Sequence, residues 1–336
     1  MAALGTYLQE KPEAIDPVYI RTSLHNPWFT LENQKLAMQN LVCHFLNMDL
    51  LQDWMATYPQ PNTSVSPLSV ALIPAGNIPM VGFHDLLCIL MSGQAAVIRC
   101  SDKDPYLLPF LADCLILVEP RFRDRIRFVS RLDSFDAVIA TGSNNTARYF
   151  TQYFQGKPHI IRKNRQGVAS LSGRETQNEL MALGEDIFTY FGMGCRNVSK
   201  LFVPEGYDFL PLLDELHRFQ EIIRHEGYRN NYDYQYAIWL LNKVSFQMTG
   251  SILMMEDKAI GSRIATLHYE YYRSPGDLVD LLSAHREEIQ CVVSSMFLPG
   301  VDVVPFGKAQ SPALGDYADG VDTMEFLLSL NSNNRR

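Results

Sequence analysis

Residues 188–204 read FTYFGMGCRNVSKLFVP, and the rest of the chain is organised around them. Leu180, Leu183, Ile187 and Phe191 recur at helical spacing and carry a helix into this stretch. Gly192 and Gly194 bracket Met193; the pair breaks the helix and lets backbone approach a ligand closely. Cys195 follows at once. Positions 198–203 alternate as a strand, which Pro204 ends. One cysteine therefore sits on a glycine-rich turn between a helix and a strand, exposed on one side and ringed by backbone N–H donors. Arg196 beside it favours the thiolate form. Cys195 is then either a nucleophile, which needs partners elsewhere in the chain, or a structural cysteine in a tight turn, since cysteines outside disulfides are usually small buried hydrophobes.

Composition narrows the field. The chain has 336 residues, 47% apolar and 20% charged, an ordinary globular balance with room for two domains. A net charge of −8, spread without long runs, argues against nucleic acid or an anionic membrane surface as the main partner. The cysteines at 43, 88, 100, 114, 195 and 291 form no CxxC pair and fit neither a zinc site nor a disulfide framework. The N-terminus, MAALGTYLQEKPEAID, is interrupted by acids and Pro12 and does not read as a signal peptide. No apolar run reaches membrane-spanning length. These features predict a cytoplasmic protein with no metal, in which the sequons at Asn62, Asn144 and Asn197 carry no meaning.

Taken in order, residues 1–30 hold Pro12, Pro17 and Pro27 and read as an irregular arm; residues 31–51 read as one amphipathic helix, and 58–67, YPQPNTSVSP, as a linker. From residue 68 strands alternate with helices: strands at 69–73, 95–99, 126–129 and 135–140, helices at 83–91, 106–118 and 144–154, then strands at 158–162 and 167–171. That alternation predicts a doubly wound parallel sheet, which binds ligands beyond the carboxyl ends of its strands. Three such ends carry binding chemistry: the turn at Asn77, the Arg99-Cys100-Ser101-Asp102 stretch, and Thr141-Gly142-Ser143, where glycine precedes a helix N-terminus suited to phosphate. Taken singly, Ser143 reads as a plain N-cap and Arg99 as a solvated charge, and no GxGxxG is present. The second half predicts helices at 209–225, 232–242 and 275–285 with strands at 244–254, 264–272, 292–297 and 301–305. The expected layout is an N-terminal helical arm and linker at 1–64, a dinucleotide-binding domain at 65–171, a second α/β domain with the cysteine at 172–310, and a tail at 311–336.

These pieces form an ordered set: Ile-Pro-Ala-Gly-Asn77-Ile-Pro, Arg99-Cys-Ser101-Asp, Ala-Thr-Gly142-Ser143, Ser-Leu-Ser-Gly173, Phe-Gly-Met-Gly-Cys195-Arg-Asn-Val and Pro-Phe-Gly307. In this order they resemble the aldehyde dehydrogenase superfamily, and more closely the acyl-CoA reductases of the bacterial luciferase-operon type, over about residues 65–310. The resemblance implies that Cys195 is the nucleophile. It implies that Asn77 lends a side-chain amide to an oxyanion hole together with the Cys195 N–H. It places Arg99 and Ser101 at an adenosine ribose, and Gly142 and Ser143 at a pyrophosphate. The implied activity is NAD(P)H-dependent reduction of an acyl-CoA thioester to the aldehyde through an acyl-cysteine. Arg99 as partner for a 2′-phosphate favours NADPH over NADH.

Two departures stand out. Hydrolytic relatives carry Glu-Leu-Gly-Gly with a water-activating glutamate, whereas the match here reads Ser170-Leu171-Ser172-Gly173. The glutamate that grips the nicotinamide ribose would fall near Asp257 or Lys258, where the pattern is too poor to assign a residue. The alternatives are a hydrolytic aldehyde dehydrogenase and a catalytically weak binding or scaffold protein that keeps the fold; joint retention of Cys195, Asn77 and the Gly142-Ser143 turn disfavours the latter. Acyl-CoA is the expected partner, and homo-oligomerisation is left open. His84 and the tyrosines of 228–236 read as packing residues, the latter with a substrate channel as the rival.

Overall fold

The computed structural model describes residues 1–60 and 66–333. The middle of the expected linker, 61–65 with the Asn62 sequon, lies outside the described residues. The chain forms two compact units, residues 1–164 with 312–336, and residues 165–311.

In the first unit the alternation of strands and helices closes as expected. Strands β1 (Ser69–Ile73), β2 (Ala95–Ile98), β3 (Ile126–Phe128), β4 (Ala137–Thr141) and β5 (His159–Arg162) make one parallel sheet in the order β3-β2-β1-β4-β5. Central strands of a parallel sheet are covered on both faces and read as unbroken apolar runs. Accordingly Val70, Ala71 and Leu72 of β1 and Val138 and Ile139 of β4 are wholly buried. The chain leaves β1 toward one edge and returns to β4 on the other side, so β1 and β4 flank the topological switch point.

Both ends of the chain depart from expectation. Residues 2–25 are largely helical, with Ala2–Glu10 and Asp16–His25 separated by a short turn at Pro12–Ile15. Pro12 and Pro17 sit in first turns, where the missing N–H has no intrahelical partner to lose. The single helix expected over 31–51 is two, Leu31–Asn40 and Met48–Ala56, parted by a wide π-turn at Leu41–Phe45. Asn47 caps the second by accepting the Asp49 and Leu50 N–H groups at 3.0 and 3.1 Å. The tail is no separate element either. Tyr317 accepts the Trp54 indole N–H at 3.0 Å, Tyr58 donates to Asp322 at 2.7 Å, and buried Arg162 reaches Asp85 at 2.6 Å and Thr323 at 2.9 Å. Among the described residues no helix is long and apolar enough to cross a membrane.

The second unit holds β6 (Gln166–Ser170), β7 (Val198–Pro204), β8 (Gln247–Met248), β9 (Leu253–Glu256), β10 (Thr266–Tyr272), β11 (Ile289–Val293) and β12 (Val303–Val304), in the order β12-β11-β6-β7-β10-β9-β8. All neighbours are parallel except β8 with β9. The domain border expected after residue 171 thus falls at 164–165, because β6 pairs with β7 and β11 rather than with β5. The helix expected over 209–225 stops at His217, and Phe219 turns in to stack on Phe188 with ring centroids 4.9 Å apart. The strand expected over 244–254 is only the two short pieces β8 and β9.

Candidate functional site

The carboxyl end of the first sheet gathers five of the six expected site residues. Asn77 lies in the turn after β1, Arg99 and Ser101 in the loop after β2, and Gly142 and Ser143 in the turn after β4. Gly76 lets the loops after β1 and β2 close in, and Gly142 keeps clear the start of the helix that follows it. A Cβ at Gly76 would lie 2.2 Å from the Ser101 Oγ, and one at Gly142 would lie 2.9 Å from Thr146. Ser143 caps the helix Asn144–Phe154, its Oγ accepting the Thr146 N–H at 3.2 Å. A helix start leaves first-turn N–H groups without intrahelical partners, a setting for an anion. Arg99 is exposed and its Nε donates to the Ser130 carbonyl at 3.4 Å.

The sixth residue, Cys195, belongs to the other unit and is half-buried. The helix Gln177–Phe188 ends before it, and Tyr190, Phe191 and Gly192 all take left-handed backbone (φ 53°, 59° and 73°). Two consecutive aromatic residues there are strained. Phe191 is held against His225, ring centroids 4.3 Å apart. The brace is Asn197, which is 1% exposed. Its Oδ1 accepts the Gly194 N–H at 2.8 Å, and its Nδ2 donates to the carbonyls of Asp186, Ile187 and Thr189 at 3.0, 3.3 and 2.8 Å. The Gly194 N–H is therefore turned to Asn197 and is not one of the donors expected around the thiol. Arg196 likewise anchors, its Nε donating to the Ala309 carbonyl at 2.6 Å.

Ser170 does not stand where a water-activating group would serve Cys195. In the parallel β6–β7 register Gly167 pairs with Val198 and Ser170 with Phe202. The start of β6 abuts the cysteine loop, since a Cβ on Gly167 would lie 2.5 Å from the Arg196 carbonyl oxygen. Ser170, three positions on, is roughly 10 Å farther along the strand, wholly buried, with no hydrogen-bond partner for its hydroxyl. Asp257 and Lys258 line a cleft of ≈ 830 Å³ with Glu205, Glu256 and Glu270. In the 228–236 tyrosine cluster, Tyr228 and Tyr232 donate to the Ser251 and Thr249 carbonyls, each at 2.8 Å, and so pack their helix.

Two residues that support these loops were not singled out from the sequence. Asn197 reads only as a sequon, and Asp104 only as an acid before a proline. Asp186 also carries weight: its carboxylate accepts the Gly307 and Ala309 N–H groups at 2.7 and 2.9 Å. Burial pushes its carboxyl up to about 6, against the two N–H bonds that pull it down. A carboxyl raised by folding favours the fold most below its unfolded value, and that advantage is lost as pH rises through the folded value. Between pH 4 and 7 the wild type should therefore lose about 2 kcal/mol relative to Asp186→Asn. Denaturant melts of both proteins across this range check it, and a pH-independent difference would refute it.

Comparison with known proteins accords with this architecture. Residues 32–211 match the acyl-CoA reductase (LuxC) family. No match was found among the curated proteins. Among solved structures the chain is similar to PutA of Anabaena variabilis, described as an aldehyde dehydrogenase, with TM-score 0.67, 12% identity, and coverage of 97% of this chain and 84% of that one. It is similar to aldehyde dehydrogenase 21 of Physcomitrella patens, solved with the reaction product succinate (TM-score 0.67, 10% identity, 98% and 82% covered). It is also similar to betaine aldehyde dehydrogenase of Staphylococcus aureus, solved with NAD+ (TM-score 0.63, 12% identity, 87% and 68% covered). At such identities the structural likeness is one of fold. The family match spans more than half of the sequence, and the chain belongs to the acyl-CoA reductase (LuxC) family of oxidoreductases, built on the α/β fold of the aldehyde dehydrogenases.

Proposed function

We propose that the protein reduces an acyl-CoA thioester to the aldehyde with NAD(P)H, by way of an acyl group carried on Cys195. The observation that carries this is the cysteine turn itself: a half-buried thiol on a strained, glycine-flanked loop braced by Asn197, inside the segment that matches the family. The Cys195 thiolate attacks the acyl carbonyl, a carbon–sulfur bond forms to the enzyme, and the bond to CoA breaks as CoA leaves as a thiolate. Asn77 acts as an amide donor to the oxygen that gains charge, a contribution of ~3–4 kcal/mol for such a donor. A nicotinamide nucleotide, when bound, supplies the hydride that turns the enzyme thioester into a thiohemiacetal. The oxyanion of that adduct collapses, releasing the aldehyde and returning Cys195 as the thiolate.

The cofactor's fit rests on the first unit. The loops after β1 and β2 meet through Gly76, where a Cβ would clash with Ser101, and Gly142 leaves the turn from β4 into the helix Asn144–Phe154 without a side chain. Gly142 and Ser143 would hold the pyrophosphate, and Arg99 and Ser101 the adenosine ribose, with Arg99 favouring a 2′-phosphate. Ser143→Asp keeps an N-cap acceptor while adding a charge. It should raise the NADPH Kd by about tenfold or more, since one charge 4 Å from another at a protein surface is worth up to ~4 kcal/mol before screening. An unchanged Kd in a binding titration would place the pocket elsewhere.

The Glu-Leu-Gly-Gly block of the hydrolytic relatives, with its water-activating glutamate, has no counterpart in this sequence, which favours transfer to CoA over hydrolysis. A positioned general base typically adds about 10²–10⁴-fold, and water without one is a poor competitor. In the oxidative direction aldehyde with NADP should then require CoA and yield acyl-CoA. Product analysis with and without CoA tests it; brisk formation of carboxylic acid without CoA would replace the reductase by a hydrolytic dehydrogenase.

A further inference from the structure

The loop at 101–104 is gripped from several sides within the first unit. His25 Nε2 lies 2.7 Å from the Asp102 carbonyl oxygen, and Asn26 Nδ2 donates to the Lys103 carbonyl at 3.1 Å. The Asp104 N–H closes the loop on the Ser101 carbonyl at 3.0 Å. Asp104 is only 6% exposed, and its carboxylate bonds to backbone outside this loop. Oδ2 accepts the Met80 N–H at 3.0 Å, and Oδ1 accepts the Leu107 N–H at 3.4 Å. Met80 holds φ at 59°, a conformation a non-glycine residue keeps only where its surroundings impose it. The Asn77 turn is thus fastened to the 101–104 loop on both flanks of Asn77: Gly76 packs on Ser101 before it, and Met80 bonds to Asp104 after it.

We propose that Asp104 is a positioning residue for the Asn77 amide, its carboxylate locking the 76–80 turn onto the 101–104 loop. The inference rests on Asn77 acting as the amide donor of the proposed reaction. Asp104 itself touches neither substrate nor cofactor in this scheme. The carboxylate is kept in a place that disfavours its charge, burial raising it to about 6, and its two N–H partners give the reason it stays. The helix Asp16–His25 backs the same loop through His25 and Asn26, so the N-terminal segment supports the arrangement from behind.

The test follows acylation of Cys195 by acyl-CoA in single-turnover mass measurements without reductant, beside NADPH binding. Asn77→Ala should slow acylation by about 10²-fold, as for loss of an oxyanion donor. Asp104→Ala should slow it by about tenfold or more while the NADPH Kd stays within about twofold, and it should add less than about twofold in the Asn77→Ala background, since coupled residues are not additive. Asp104→Asn, which keeps one acceptor, should fall between and serves if the alanine variant does not fold. Unchanged acylation in the Asp104 variants, or losses that multiply in the double variant, would overturn the proposal while leaving the proposed reaction standing. A silent Asn77→Ala would instead remove the Asn77 assignment, and this proposal with it.

Discussion

Replacing Cys195 with alanine should abolish both the acyl adduct and turnover. Wild-type protein given acyl-CoA and no reductant should gain one acyl mass, and peptide mapping should place it on Cys195. The alanine variant should gain none and should lose activity by ~10⁴-fold or more, the scale expected when a covalent nucleophile is removed. The variant should keep its fold, because Cys195 is half-buried and the loop is held by other residues. Four of the other five cysteines offer poor substitutes, Cys43 being exposed. Cys88, Cys114 and Cys291 are buried, and burial pushes the Cys100 and Cys114 thiols up to about 11. Acyl labelling that persists in Cys195→Ala would refute the assignment.

Asn197→Ala should be the most damaging change outside the nucleophile. Its side chain satisfies one N–H and contacts three carbonyls of the preceding turn, all but that of Thr189 buried. A buried polar group left unsatisfied costs about 1–3 kcal/mol. Some of these groups will find water in the gap left by the side chain, so the net loss should be about 2–4 kcal/mol. The strained run Tyr190–Phe191–Gly192 would lose its tether and relax, and a displaced nucleophile costs about 10²-fold when it moves by about 1 Å. Asn197→Asp keeps the acceptor for Gly194 but loses both donors and sets a carboxylate against carbonyl oxygens, so it should be no better than alanine. The check is the acylation rate measured well below each variant's melting temperature. A rate within twofold of wild type would show that the cysteine loop holds its shape without Asn197.

The proposed acyl transfer also explains why the loop is built this way. A thiol on an unbraced glycine turn would sample many positions. Here the helix Gln177–Phe188 supplies carbonyls, Asn197 gathers them, and β7 starts at the next residue. Cys195 is thereby suspended between two rigid elements while Gly192 and Gly194 keep its surroundings open to the approach of a substrate. Asp186 continues the brace outward to Gly307 and Ala309, and Arg196 reaches Ala309 as well. The Pro-Phe-Gly307 block, singled out in the sequence for its resemblance alone, thus acquires a physical role as the far anchor of the cysteine loop.

Local signals in the sequence were enough for the parallel α/β class, for strand β1 and the helices Phe83–Met91 and Asn144–Phe154 to the residue, and for the glycine-flanked turn at Cys195. These follow from hydrophobic period and from glycine and proline as breakers, which act over a few residues. Tertiary structure alone decided the rest. Whether β6 joins the first sheet or the second depends on pairing with β11, more than a hundred residues away, and no local pattern encodes that choice. The same pairing moved Ser170 to the far end of its strand from Cys195, because parallel register, unlike a motif, sets position along the strand. Asn197 and Asp104 were illegible for a related reason. A buried amide or carboxylate is defined by the backbone groups that fold around it, and those groups have no side-chain identity to read.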